Sequence, residues 1–149
     1  MNNIEQITCN PVPASVFGLW REVAELDLDT REIVANILAD DRDFEVDGYR
    51  FIHMNDIDDV QQDELSSDEY ILGCFNAWFL ADVLGIDTDV IEAMQKAEAY
   101  EAVGKLVISM NKLAELQAAY ASADGYGHHF AHYDGCEHEI GNYYAFRVN

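Results

Sequence analysis

The sequence predicts an α+β fold: a helical domain around a buried central helix at about 67–84, an antiparallel hairpin at 43–53, and a C-terminal three-stranded antiparallel meander at 128–148. Three observations carry this. The first is the run YILGCFNAWFLADVL at 70–84, apolar on nearly every helical face. A helix that is hydrophobic all round belongs in the middle of a domain. At roughly 15 residues, with acids close on both sides, it is too short to span a bilayer. The second is DFEVDGYRFIH at 43–53, where Asp47-Gly48 is the preferred pair for a two-residue type I′ turn. The third is the tail HHFAHYDGCEHEIGNYYAFRVN, with Asp134-Gly135 and Gly141-Asn142 placed to turn successive strands.

Taken in order, residues 1–12 read as an extended or loosely docked arm, with both prolines, Pro11 and Pro13, near its end. From Ala14 to Leu26, Val16, Phe17, Trp20, Val23 and Ala24 recur at helical spacing, with Ser15 as a cap. Asp29 and Glu32 have capping-box spacing and open a second helix with Ile33, Val34, Ile37 and Leu38 inward. In the hairpin, Val46 pairs with Tyr49 and Phe44 with Phe51, which puts four apolar side chains on one face. Asn55 caps a short acidic helix that turns Ile57, Val60 and Leu65 inward. Ser66 with Glu69 forms another capping box and starts the central helix, which also contains Cys74. Gly85 ends that helix in the left-handed conformation. Asp87 or Thr88 caps the next, carrying Val90, Ile91 and Met94. Gly104 breaks or kinks the run that follows. A last helix uses Val107, Met110, Leu113, Ala114 and Tyr120 and ends at ADGYG.

The 149 residues suit a single domain, 1–149, able to bury a substantial core. Half the residues are hydrophobic and a quarter charged, the composition of a globular protein. The charge balance is extreme: eight Lys and Arg against 29 Asp and Glu leave a net charge of −21. Such a field repels nucleic acid and anionic membrane and attracts basic surfaces. Three scattered cysteines, Cys9, Cys74 and Cys136, make no disulfide framework and fit a reducing cytoplasm. The N-terminus has neither the basic region nor the long apolar run of a signal peptide.

Three constellations bear on chemistry. Leu80, Ala81, Leu84, Gly85, Ile86, Ile91 and Met94 follow the pattern of a helix-turn-helix, but a recognition helix needs donors for bases and phosphates near its start. Asp87, Thr88, Asp89 and Glu92 stand there instead, so the pattern reads as a structural corner. In the tail, a two-residue turn at Asp134-Gly135 would pair Tyr133 with Cys136, Ala131 with His138 and His129 with Ile140. His129, Cys136 and His138 would then share a face, offering three of a zinc site's ligands. Set against this reading, the spacing matches no zinc module, and half-polar strand histidines serve equally well. Cys136 beside His138 lacks a feature that would lower its pKa in so negative a field. No cofactor is expected.

The third constellation is the acids. Between residues 40 and 69 stand Asp40, Asp41, Asp43, Glu45, Asp47, Asp56, Asp58, Asp59, Asp63, Glu64, Asp68 and Glu69, answered only by Arg42 and Arg50. Asp82, Asp87, Asp89, Glu92, Glu98 and Glu101 follow. Duplex DNA carries a negative charge about every 1.7 Å of its axis. Two or three carboxylates per helical turn of about 5.4 Å, on adjacent elements, approach that density.

In size, charge and the acidic runs DDRDFEVDGY and NDIDDVQQDELSSDEY, the chain resembles the small acidic antirestriction and anti-CRISPR inhibitors of phages and plasmids, several of which are DNA mimics. The resemblance implies a non-enzymatic, cytoplasmic inhibitor whose acids at 40–69 occupy the nucleic-acid-binding surface of a host defence or DNA-handling protein, with no nucleic acid or membrane bound directly. The first alternative is a small metalloprotein or metal-dependent hydrolase using His129, Cys136 and His138. The second is an acidic soluble protein with no charge-based partner.

Overall fold

The computed structural model describes residue 18 and residues 21–149. The arm at 1–12, Cys9 and much of the helix expected from Ala14 fall outside the described residues. Residues 21–24 are helical. The described residues have an α+β structure, with helices and a four-stranded antiparallel sheet. They form two compact units: the described residues up to Asp56 together with Tyr126–Asn149, and Ile57–Gly125.

In the first unit, α1 (Thr30–Leu38) starts as expected, with Asp29 accepting a hydrogen bond from the Glu32 N–H. Asp40 stops the chain beyond α1 at φ 57°, a left-handed position that Asp tolerates better than most residues. The hairpin follows in the expected register: β1 (Asp43–Val46) and β2 (Tyr49–His53) pair Phe44 with Phe51 and Val46 with Tyr49. Asp47 and Gly48 both have positive φ, as a type I′ turn requires.

The tail departs from the expected three-stranded meander. Its first segment is a short helix, α8 (Gly127–Phe130), and only β3 (His138–Ile140) and β4 (Tyr143–Arg147) are strands. Two interactions explain this. The Glu137 carboxylate accepts hydrogen bonds from the Tyr126 and Gly127 N–H groups, satisfying donors that a helix start leaves open. Phe130, 1% exposed, packs on Phe146. Gly135 then donates to the Ala131 carbonyl rather than turning a hairpin. The Gly141-Asn142 turn does join β3 to β4, pairing Ile140 with Tyr143.

The strand order β1-β2-β4-β3 places the two most apolar strands in the middle. One face of the sheet carries Phe44, Val46, Phe51, Tyr143 and Ala145, which form a core with Val23, Ile33 and Val34. Phe44 stacks on Phe51 at 5.0 Å. The other face carries Ile52 and Phe146, both fully buried, with Phe130 against Phe146. Burial on both faces explains why Phe51 and Ile52, adjacent in β2, are both inside.

The second unit is all helical: α2 (Ile57–Ser66), α3 (Glu69–Gly73), α4 (Ala77–Leu84), α5 (Thr88–Lys96), α6 (Tyr100–Ser109) and α7 (Leu113–Asp124). The expected continuous central helix at 67–84 is therefore two helices, α3 and α4, with a break at residues 74–76. Asn76 causes it: its side chain accepts from the Trp78 and Phe79 N–H groups and so caps a new helix start. The Gln95 amide donates to the Gly73 and Phe75 carbonyls and satisfies backbone groups that the break exposes. Nor is the run buried all round: Tyr70, Ile71 and Trp78 are 51%, 52% and 70% exposed, and Cys74 is exposed. Leu72, Leu80, Ala81 and Leu84 do enter the core, with Leu65, Ile91, Val103, Val107 and Leu116. The cap of α3 is Asp68, while the Ser66 hydroxyl donates to the Asp63 carbonyl.

Gly104 does not break the chain but lies inside α6. A Cβ there would come within 1.9 Å of the Glu69 carbonyl oxygen, and one at Gly73 within 1.8 Å of the Tyr100 carbonyl oxygen. The two glycines thus let α3 and α6 cross backbone to backbone. The expected last helix is likewise divided, α6 from α7, at Asn111 with φ 57°. The corner between α4 and α5 forms as expected: Gly85 takes φ 67°, and the Gly85 and Ile86 N–H groups both donate to the Ala81 carbonyl.

Candidate functional site

Each unit holds half of the acids singled out at 40–69. In the first unit, Arg42 grips Asp56 through two hydrogen bonds of 2.6 and 3.0 Å and lies 3.7 Å from Asp40. The hydrogen bonds from Arg42 hold the Asp56 carboxyl below the usual carboxylate range. Arg50 grips Asp43 in the same forked way, at 2.9 and 2.8 Å. Asp47 accepts from the Asp29 N–H at 2.9 Å and ties the hairpin turn to the start of α1. The Asp41 carbonyl accepts from the Tyr143 hydroxyl at 2.6 Å. Burial is the main reason the Tyr143 phenol is raised above its ordinary range. Glu45 is exposed on β1.

In the second unit, Asp58 accepts from the Gln117 amide at 2.8 Å. Gln117 also donates to the fully buried Gln61, so this carboxylate belongs to a polar network between α2 and α7. Asp68 caps α3, and Glu69 lies 3.8 Å from Lys105. Glu64 is half-buried. Asp59 and Asp63 are exposed one turn apart on α2, and their carboxylates make no hydrogen bond or ion pair among the described residues. By sequence alone the acids form one class. The structure separates those that hold the fold, such as Asp56, Asp58 and Asp68, from those left in water, such as Glu45, Asp59 and Asp63.

His129, Cys136 and His138 are not assembled into a ligand set. His129 lies in α8 against Phe130, Cys136 is exposed in the loop, and His138 pairs with Ala145 in β3 rather than with Ala131. Among the described residues no three His, Cys, Asp or Glu side chains are grouped to hold a metal ion. The expectation of a shared face failed because it depended on the meander that α8 replaces.

The residue missed from sequence is Trp78. Its place in the apolar run points to the core, yet it is exposed on α4 and lines two open clefts. Asn76, a cap residue in the middle of that run, was the available signal. One cleft carries Tyr100, Glu92 and Lys96; the other is lined by Ala81, Ile86 and Thr88 with Asp82, Asp87 and Asp89. Among the described residues no helix is long and apolar enough to cross a membrane. Comparison of the chain with protein-family models, with curated proteins and with solved structures finds no match, so the chemistry of this surface alone bears on function.

Proposed function

We propose that this chain is a non-enzymatic acidic binding protein that occupies the nucleic-acid-binding surface of a host defence or DNA-handling protein, its carboxylates standing where phosphates would lie. The observation that carries the reading is how the cations are used. Arg42, Arg50, Lys105 and Lys112 each sit in an ion pair within the chain, with Asp56, Asp43, Glu69 and Glu115. Carboxylates such as Asp59 and Asp63 remain in water. The outward field is therefore negative and little compensated, and a cationic nucleic-acid channel is the surface most complementary to it. Affinity would come from paired charge and released counterions and would fall steeply with salt.

The test is capture from a bacterial lysate on the immobilised chain, with elution by a salt gradient and identification by mass spectrometry. The expected product is one nucleic-acid-handling protein, released at moderate salt and displaced by duplex DNA. The Asp59→Lys/Asp63→Lys variant should lose it. That pair is preferred to Asp56 and Asp58, whose reversal would break the Arg42 and Gln117 contacts. Capture indifferent to duplex DNA and to the double reversal would reduce the acids to a solvated surface.

A further inference from the structure

We infer that the cleft beside Trp78, between α4 and α5, is a docking site for an arginine side chain on a basic polypeptide segment. This rests on the reading of the chain as a binder of basic partners, and it names a place and a chemistry for that binding.

A single exposed apolar side chain is ordinary on a protein surface. Trp78 is more than that. It is 70% exposed on a helix that is otherwise anchored, since Ala77, Leu80, Ala81 and Leu84 are all buried. It lines two open clefts. In the cleft toward α5, the apolar lining of Ala81 and Ile86 meets three carboxylates, Asp82, Asp87 and Asp89, and, among the described residues, no basic side chain. The other cleft that Trp78 lines contains Lys96 together with Glu92. The two clefts therefore differ in charge, and a cation is directed to the first.

The turn that carries this lining is fixed. Gly85 turns the chain in the left-handed region, and the Asp87 carboxylate accepts from the Asp89 N–H at 2.9 Å. That bond takes up part of the positive character of the α5 start, which would otherwise oppose a cation. The side chains of Asp82 and Asp89 make no hydrogen bond or ion pair among the described residues. Of the basic side chains, arginine suits this lining best. Its guanidinium is planar and weakly hydrated, stacks on an indole face, and offers parallel N–H groups to a carboxylate. Lysine supplies the charge but neither the plane nor the fork.

The experiment uses the whole chain in a Trp20→Phe background, which leaves Trp78 as the single tryptophan. At about 0.15 M salt, where charge acts over about 8 Å, it is titrated with an (Arg-Gly)4 peptide and with the same peptide carrying citrulline, the neutral isostere of arginine. Saturable change in Trp78 emission is expected with the arginine peptide, and binding of the citrulline peptide is expected to be at least about tenfold weaker. Calorimetry on Trp78→Ala, and emission on Asp82→Asn/Asp89→Asn, should each show a loss of about tenfold. Failure of the wider acidic surface is read in lysate capture with the Asp59→Lys/Asp63→Lys variant, and failure of the cleft in this titration. Binding unchanged by Trp78→Ala would mean general attraction to an acidic surface and would overturn the assignment, as would no binding at all. A change in Trp78 emission on concentrating the protein without peptide would assign the cleft to a second copy and likewise overturn it.

Discussion

Replacing Gly104 by alanine puts a methyl group where the Glu69 carbonyl oxygen already stands, at 1.9 Å. No rotamer change can relieve this, because the obstacle is the backbone of α3. To restore ordinary van der Waals distance the two helices must separate by about 1.5 Å. Overpacking of this kind costs about 1–3 kcal/mol, and a contact with rigid backbone belongs at the upper end. Alanine returns about 1 kcal/mol of helix propensity relative to glycine. The net expectation is a loss of about 2 kcal/mol, which at a urea slope of about 1–3 kcal/mol/M lowers the unfolding midpoint by about 1 M. Urea unfolding followed by circular dichroism reads this directly. The exposed Ala102, on the same helix, is the control: Ala102→Gly should cost about 1 kcal/mol from propensity alone. The sign is what discriminates, since Gly→Ala stabilises a free helix and destabilises a crossed one. Gly73→Ala should behave like Gly104→Ala, and the double variant should lose less than the two single losses together, because the first methyl has already parted the helices. A Gly104→Ala midpoint equal to or above that of the parent would refute the close crossing of α3 and α6.

Two further predictions follow from the hydrogen bonds. Asn76→Ala removes the acceptor for the Trp78 and Phe79 N–H groups and should cost about 1–2 kcal/mol in the same urea assay, while Asn76→Asp should retain most of the stability. The Arg42–Asp56 pair makes stability depend on acid. Because the folded-state pKa of Asp56 is lowered, its contribution is fully present above the unfolded carboxylate value of about 3.9 and is lost as pH falls through the lower folded value. The difference in melting temperature between the parent and Asp56→Asn should therefore be constant at neutral pH and shrink only below about pH 4. A difference that persists undiminished at pH 2 would show that Arg42 does not act on Asp56 through its charge.

Local sequence chemistry determined the elements whose signals are complete within a few residues. Asp47-Gly48 set the hairpin and its register, Asp29 and Asp87 set helix starts, and Gly85 set the corner between α4 and α5. In each case a turn or cap residue has one favoured backbone geometry, and its partners are near in sequence. The charge was equally plain from composition. Tertiary structure decided whatever depended on a distant partner. Glu137 reaches back to Tyr126 and Gly127 and turns an expected strand into α8, which dissolves the shared face proposed for His129, Cys136 and His138. The Gln95 amide stabilises a break in a run that hydrophobicity alone reads as continuous, and so Trp78 ends in water rather than in the core. Gly104, read as a breaker, serves close approach because Glu69 happens to lie against it. Among the acids, periodicity gave positions but not partners. Only the folded chain brings Arg42 to Asp56 and Gln117 to Asp58 while leaving Asp59 and Asp63 to solvent, because an ion pair or a buried amide is defined by groups that sequence spacing does not bring together.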